Sequence, residues 1–257
     1  MTNMSQQYFM NYLLFLYFTL IPIAVFANTT EDTDTLARAI LEKADAIRFP
    51  RESFQVEVDI KTISPEKINE EYKYRVLSKG NENSIVMITE PASERGQTIL
   101  MKERDLWVFM PSVSQPIRLS LSQRLVGQVA NGDIARANFS GDYNPKLLRT
   151  EIINDKAYYV LELTAVDRSV TYHKVVLWVQ ESNYWPYRAE FYSLSNRLLK
   201  TSRYEKFDWV LGIERPTRLI MEDALKKDEV SILDYSEMIL RDLPDKIFTK
   251  EYLKKLD

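Results

Sequence analysis

The chain has 257 residues, of which 45% are apolar and 28% charged, and its formal net charge is −3. That balance belongs to a folded protein, and it lacks the basic stripe that nucleic acid requires of a partner. With no cysteine and a single histidine, His173, the chain has no thiol nucleophile, disulfide, cysteine-held metal or N-terminal lipidated cysteine.

In chain order the first element is an apolar run at residues 12–27, YLLFLYFTLIPIAVFA. It is short for a bilayer core of ~30 Å, and Pro22 interrupts it. Val25-Phe26-Ala27 places small residues at the spacing of a signal-peptidase site. The expectation is a cleaved signal peptide over 1–27, with an uncleaved anchor as the alternative. Residues 28–257 then form one domain outside the cytoplasm.

A helix follows, capped by Thr33 or Asp34 and starting at Thr35. Leu36, Ala37, Ile40, Leu41, Ala44 and Ile47 recur at helical spacing, while Arg38, Glu42, Lys43 and Asp45 take the opposite side. Pro50 ends it.

Strands come next. Phe54, Val56, Val58 and Ile60 alternate with polar residues, as do Tyr72, Tyr74 and Val76. Ser64-Pro65 and Lys79-Gly80-Asn81 are turns. Shorter strands are expected at 85–89 and 97–101, with a polar turn over 102–105. Beyond residue 143, strands are expected at 158–165, 173–180, 187–194, 198–209, 213–221 and 230–240. A short helix capped by Thr249 runs through Leu256. Consecutive antiparallel strands with short turns predict a mainly β fold: one strongly curved antiparallel sheet, helices on its concave face.

The segment 105–143 stands apart. It opens as a strand with Trp107 and Phe109 on one face and Leu106, Val108 and Met110 on the other, so both faces need cover. One cover is the core; the other is a lid, a partner or an apolar ligand. Pro111 and Pro116 break the strand. Arg118, Arg124, Asp133, Arg136 and Asp142 then punctuate an irregular stretch. They are expected to pair and order that loop, with docking of a headgroup or membrane partner as the other reading. Asn131-Gly132 is a turn, and Asp133 is placed to cap a following helical turn. His173 has no positioned partner for acid–base work, and no carboxylate spacing marks a metal or glycosidase site. No catalytic, metal-binding or cofactor site is expected.

The words LWVFMP (106–111), PIRLS (116–120), QRL (123–125), NGDIAR (131–136), DY (142–143), YWPYRAEFY (184–192), LKT (199–201) and RPT (215–217) together resemble the LolA-like superfamily of outer-membrane lipoprotein-sorting proteins. The similarity is to its longer, strand-rich branch and runs over the chain from the first helix to the last. It implies a half-open barrel with helices over its mouth, and a periplasmic location in a Gram-negative bacterium. It also implies a non-enzymatic, monomeric carrier that shields lipid or lipoprotein acyl chains. A membrane transporter or outer-membrane acceptor would be its partner. A sensor or accessory module on the same scaffold, binding an inner-membrane exporter or envelope protein, is the alternative. In either case Trp107, Phe109, Met110, Leu125 and Phe139 are the candidate cavity wall, with plain core as the competing role for each.

Overall fold

The computed structural model describes residues 29–65, 70–80, 82–136, 138–226 and 228–253. The expected targeting segment and Leu256 lie outside these. Among the described residues fifteen strands and three helices follow one another: α1 (Thr29–Arg48), β1 (Phe54–Ile63), β2 (Glu70–Lys79), β3 (Asn83–Glu90), β4 (Thr98–Lys102), β5 (Asp105–Phe109), β6 (Ile117–Leu119), β7 (Arg124–Val126), β8 (Val129–Ala130), α2 (Asn131–Ala135), β9 (Tyr143–Ile153), β10 (Lys156–Ala165), β11 (Lys174–Gln180), β12 (Pro186–Tyr192), β13 (Leu198–Val210), β14 (Ile213–Asp223), β15 (Val230–Leu240) and α3 (Lys250–Leu253), with a 3-10 turn at Asp245–Ile247 before α3.

Thirteen strands form one antiparallel sheet in the order β6-β5-β4-β3-β2-β1-β15-β14-β13-β12-β11-β10-β9. Two meanders thus meet where β1 pairs with β15. The edges β6 and β9 do not pair with each other, so the sheet is open, in keeping with a half-open barrel. Bulges interrupt the β1–β15, β2–β3, β9–β10, β11–β12 and β12–β13 ladders. A bulge bends its strand and increases the local twist.

Strand β9 was not among the expected elements. It begins YNPKLL, and most of its side chains after Pro145 are exposed or only partly buried. A strand at a sheet edge can carry a proline and need not alternate cleanly, so its pattern is weak. Helix α1 begins at Thr29, not Thr35. The apolar stripe marks only the part that packs. The residues before that stripe have no apolar period to mark them as helix.

The stripe Ala37, Ile40, Leu41 and Ala44 is buried against one face of the sheet, here called inner. Val58, Ile60, Tyr74, Val76, Leu161 and Leu177 belong to the same cluster. So do Leu121, Val126, Val129, Ile134 and Phe139 from the β6–β9 connection. Two elements therefore cover the inner face: α1, and the segment carrying the β7–β8 ribbon and α2.

The outer face has its own cover. Ile85, Leu100 and Phe109 pack with Leu243, Ile247, Phe248 and Leu253, and Trp107 lies against them. The chain's own C-terminal segment thus meets the second apolar face of β5. A smaller outer cluster joins Tyr158, Val160, Val176 and Trp178.

Candidate functional site

The inner face is mainly apolar, and its buried charges gather in three clasps built on carboxylates. The first ties α1 to the loop before β9. Asp45 is 2% exposed, although helical spacing assigned it to the solvent side. Its carboxylate accepts hydrogen bonds from the Phe139 amide (3.0 and 3.1 Å), the Ser140 amide (2.7 Å) and Arg48 Nη1 (3.1 Å). The Arg48 guanidinium lies 4.1 Å over the Phe139 ring and 5.6 Å from that of Tyr204. Such a cation over an aromatic face retains favourable electrostatics away from water. Arg215 Nη1 also donates to the Ala46 and Ile47 carbonyls, at 2.6 and 3.0 Å. Those carbonyls belong to the last turn of α1 and lack intrahelical partners.

The second clasp holds α2 to the sheet. Asp133 lies within α2 rather than before it, and its carboxylate reaches back to the Ala130 amide at 2.8 Å. It also accepts from the Tyr172 hydroxyl (2.8 and 2.9 Å) and from Lys200 Nζ (2.6 Å). Lys200 donates in addition to the Gln128 carbonyl at 2.5 Å. Burial pushes the Lys200 ammonium's pKa down, with Asp133 acting against it. Burial, then the Asp133 charge, pushes the Tyr172 phenol's pKa well up. Gly132 is required where α2 meets the β10–β11 loop, because a Cβ there would sit 2.0 Å from Thr171 Oγ1.

The third clasp bridges the open sheet near its free ends. Asp142 accepts from Arg104 Nε at 3.2 Å and pairs with Arg136. Arg136 Nη1 donates to the Glu103 carbonyl at 2.7 Å, and Arg104 reaches both Asp167 and the Gly141 carbonyl. The β4–β5 turn is thereby joined to the chain on either side of β9 and β10 without strand pairing.

Little free volume remains beneath these covers. One space of about 30 Å³ lies between Arg48, Asp133, Phe139, Tyr172 and Tyr204. Another of about 10 Å³ lies between Phe49, Phe54, Val76, Ile134 and Tyr235. Neither approaches the roughly 300 Å³ at which ligand sites begin. Larger hollows open outside: about 270 Å³ beside Arg124, Arg197 and Lys200, about 290 Å³ beside Val170, Tyr192 and Leu194, and about 630 Å³ between Arg104, Arg118 and Gly141.

Of the five candidate wall residues, Leu125 and Phe139 belong to the inner face. Trp107 and Phe109 point the other way, into the cluster sealed by the C-terminal segment, and Lys250 Nζ sits 4.0 Å over the Trp107 ring. Period-two alternation correctly separates them from Leu106 and Val108, but which face meets the lid depends on long-range packing. Met110 is half-buried just beyond β5 and joins none of the three clusters.

Of the five charged residues of this segment, Arg136 and Asp142 pair with each other. Asp133 pairs with Lys200, Arg118 pairs with Asp105 on the surface, and Arg124 lines the 270 Å³ hollow. Sequence reasoning missed Asp45, Arg48, Arg104, Tyr172 and Lys200. Two faint signals existed: an aspartate directly after Ala44 in the apolar stripe, and a lysine at the inward position of the Lys200, Ser202, Tyr204 alternation. His173 is exposed. Among the described residues no group of three or more acidic or histidine side chains could hold a metal, and no described helix is long and apolar enough to cross a membrane.

A family model described only as an uncharacterized protein matches residues 80–255. No curated protein matches this chain. Among solved structures, a LolA superfamily protein from Nitrosomonas europaea is 76% identical, with a TM-score of 0.82 over 84% of this chain and 98% of that one. An outer membrane lipoprotein-sorting protein domain (so described) from Vibrio parahaemolyticus is 19% identical, with a TM-score of 0.70 over 86% of this chain and 99% of that one. A DUF1329 family protein from Desulfovibrio piger is 20% identical, with a TM-score of 0.71 over 86% and 99% of the two chains. These last two share the fold. The open antiparallel sheet, its inner covers and the 76% identity lead to one conclusion: the chain belongs to the LolA superfamily.

Proposed function

We propose that this protein is a non-enzymatic carrier that shields the acyl chains of a lipid or lipoprotein in the periplasm, after export by a cleaved signal peptide. Its part in outer-membrane sorting would be transfer, with an exporter or acceptor as the donor or recipient. Superfamily membership and the fold shared with the Vibrio lipoprotein-sorting domain support this reading.

The observation that carries it is the way the inner face is closed. A mainly apolar face is covered by α1 and the α2 segment, and the covers are fastened through buried charged groups: the Asp45 carboxylate accepts the Phe139 and Ser140 amides, and Asp133 pairs with Lys200 of β13. Buried ion pairs are poor sources of net stability, because desolvation offsets their attraction. They suit a contact that has to be made and released.

In this reading the acyl chain replaces the cover. Uncovering Ile40 and Leu41 costs roughly 1.5–3 kcal/mol each, whereas an acyl chain of ordinary length gains on the order of 10 kcal/mol at ~0.8 kcal/mol per CH₂. Release requires a partner that offers the chain a better site.

The test is organic extraction of the purified protein with mass spectrometry of the extract, followed by titration of the stripped protein with a fluorescent fatty acid. Co-extracted acyl lipid and saturable binding are expected. An empty protein with no affinity for the probe would contradict the carrier reading. A stoichiometric protein partner that survives delipidation would then favour the accessory-module alternative.

A further inference from the structure

The hollow of about 270 Å³ beside the second clasp is walled by the β7–β8 ribbon, the β12–β13 turn and the ends of β13 and β14. Its walls are built rather than loose. Gly127 (φ +51°) would place a Cβ 2.2 Å from Thr62 Oγ1. The Gln128 amide donates to Ser231 Oγ at 2.9 Å, and Gln128 Nε2 donates to Glu229 at 3.1 Å.

Three cations line this hollow, Arg124, Arg197 and Lys200, against one carboxylate, Asp223. Asp223 already accepts the Leu225 and Lys226 amides at 2.7 and 2.9 Å. Lys200 is committed to Asp133 and Gln128. Arg124 and Arg197 are exposed, and neither guanidinium has a polar partner among the described residues. Two guanidiniums without partners among the described residues thus share one hollow with Asp223 as its one lining carboxylate, which leaves the hollow with an excess of positive charge. Guanidinium pairs recognise phosphate oxygens through paired, charge-assisted hydrogen bonds.

The rim is apolar. Leu225 lines the hollow and is 79% exposed. The neighbouring hollow of about 290 Å³ shares Tyr172 and Leu199 with it and carries Leu194, 62% exposed. A cationic floor beside apolar shelves fits a molecule with both characters.

We propose that this hollow binds the phosphate group of an amphiphile, with Arg124 and Arg197 as its ligands. The proposal rests on the carrier reading for the acyl chains but not for the phosphate. Tyr172 and Lys200 line the hollow on one side and hold Asp133 on the other, so a bound anion competes with Asp133 for the ammonium. Headgroup recognition is thereby linked to loosening of α2.

The test is calorimetric titration of the full protein with three probes: dihexanoyl phosphatidylglycerol below its micelle-forming concentration, the corresponding neutral dihexanoylglycerol, and inorganic phosphate. The wild type is expected to prefer the phospholipid over the neutral lipid by about tenfold or more, the scale of one to two charge-assisted contacts. In the Arg124→Gln/Arg197→Gln protein that preference should vanish while circular dichroism and melting temperature stay unchanged, since neither side chain holds the fold together. Equal binding of both lipids by the wild type overturns the phosphate site and leaves the carrier reading intact. Failure of all lipids to bind overturns the carrier reading. Binding of inorganic phosphate alone, lost in the double variant, supports the phosphate site and overturns its assignment to a headgroup.

Discussion

Strand β5 is covered on both faces by its own chain, in two different ways. Outside, Trp107 and Phe109 meet Leu243, Ile247, Phe248 and Leu253, and no buried ion pair enters that cluster among the described residues. Inside, Leu106 and Val108 share a cluster with α1 and the α2 segment, whose covers are tied by Asp45, Asp133 and Asp142. Apolar contact is non-directional and accumulates with area. A buried carboxylate is directional, and it contributes only while each of its partners stays in place. The outer cover is mainly apolar packing, tied at one point by Lys79 to the Leu243 carbonyl and Asp245, whereas the inner cover is held by buried carboxylates, which in the proposed function act as a latch.

Single substitutions separate the two. Asp45→Ala leaves Arg48 buried without its carboxylate and the Phe139 amide without an acceptor, and is expected to lower stability by about 3–5 kcal/mol. Phe248→Ala opens a cavity in the outer cluster and is expected to cost a similar ~3–5 kcal/mol. Urea midpoints measure both. The distinction lies in ligand binding: fatty-acid affinity should rise in Asp45→Ala and stay unchanged in Phe248→Ala. An equal change in both variants would erase the contrast between the faces.

Alkaline pH probes the buried phenols, most of which lie in or against the inner cluster. Burial raises the phenol pKa of Tyr74, Tyr143, Tyr172, Tyr204 and Tyr235, all of them in or against the inner cluster. A raised folded-state pKa gives stability that is complete below the unfolded value of about 10 and is lost as pH rises from there. Lys200, with its pKa lowered by burial, has the opposite slope up to its unfolded value of 10.5. One lysine opposes these five tyrosines and also Tyr72, Tyr158, Tyr159 and Tyr192, whose phenol pKa values are raised too, so stability should fall between pH 10 and pH 12. Tyrosine absorbance followed alongside the urea midpoint checks this, and a flat profile would contradict it.

The smallest effect is expected at the surface. Arg118 pairs with Asp105 where both are largely exposed, so Arg118→Ala should change the urea midpoint by no more than ~0.5 kcal/mol.

Much of this fold is legible in the chain because period-two and helical spacing are local properties. Phe54, Val56, Val58 and Ile60, and Ala37, Ile40, Leu41 and Ala44 of the helical stripe, are buried as their spacing requires, whereas Leu36 of that stripe is exposed and Ile47 half-buried. Strand β9 was hidden because an edge strand carrying Pro145 and exposed side chains has no clean period. The site was less legible than the fold. Asp45 looks like a solvent-side residue until the Phe139 and Ser140 amides arrive from 94 and 95 residues away. Lys200 meets Asp133 across 67 residues. Alternation separated Trp107 from Val108, but only the docked C-terminal segment decides which of them faces the latch.

Hydrogen–deuterium exchange with and without a saturating fatty acid tests the latch most directly. The account predicts faster exchange on ligand binding in α1 and in residues 131–142, with no change in β4, β5 or residues 245–253. Ligand-dependent exchange confined to 245–253, with α1 and 131–142 unaffected, would contradict it.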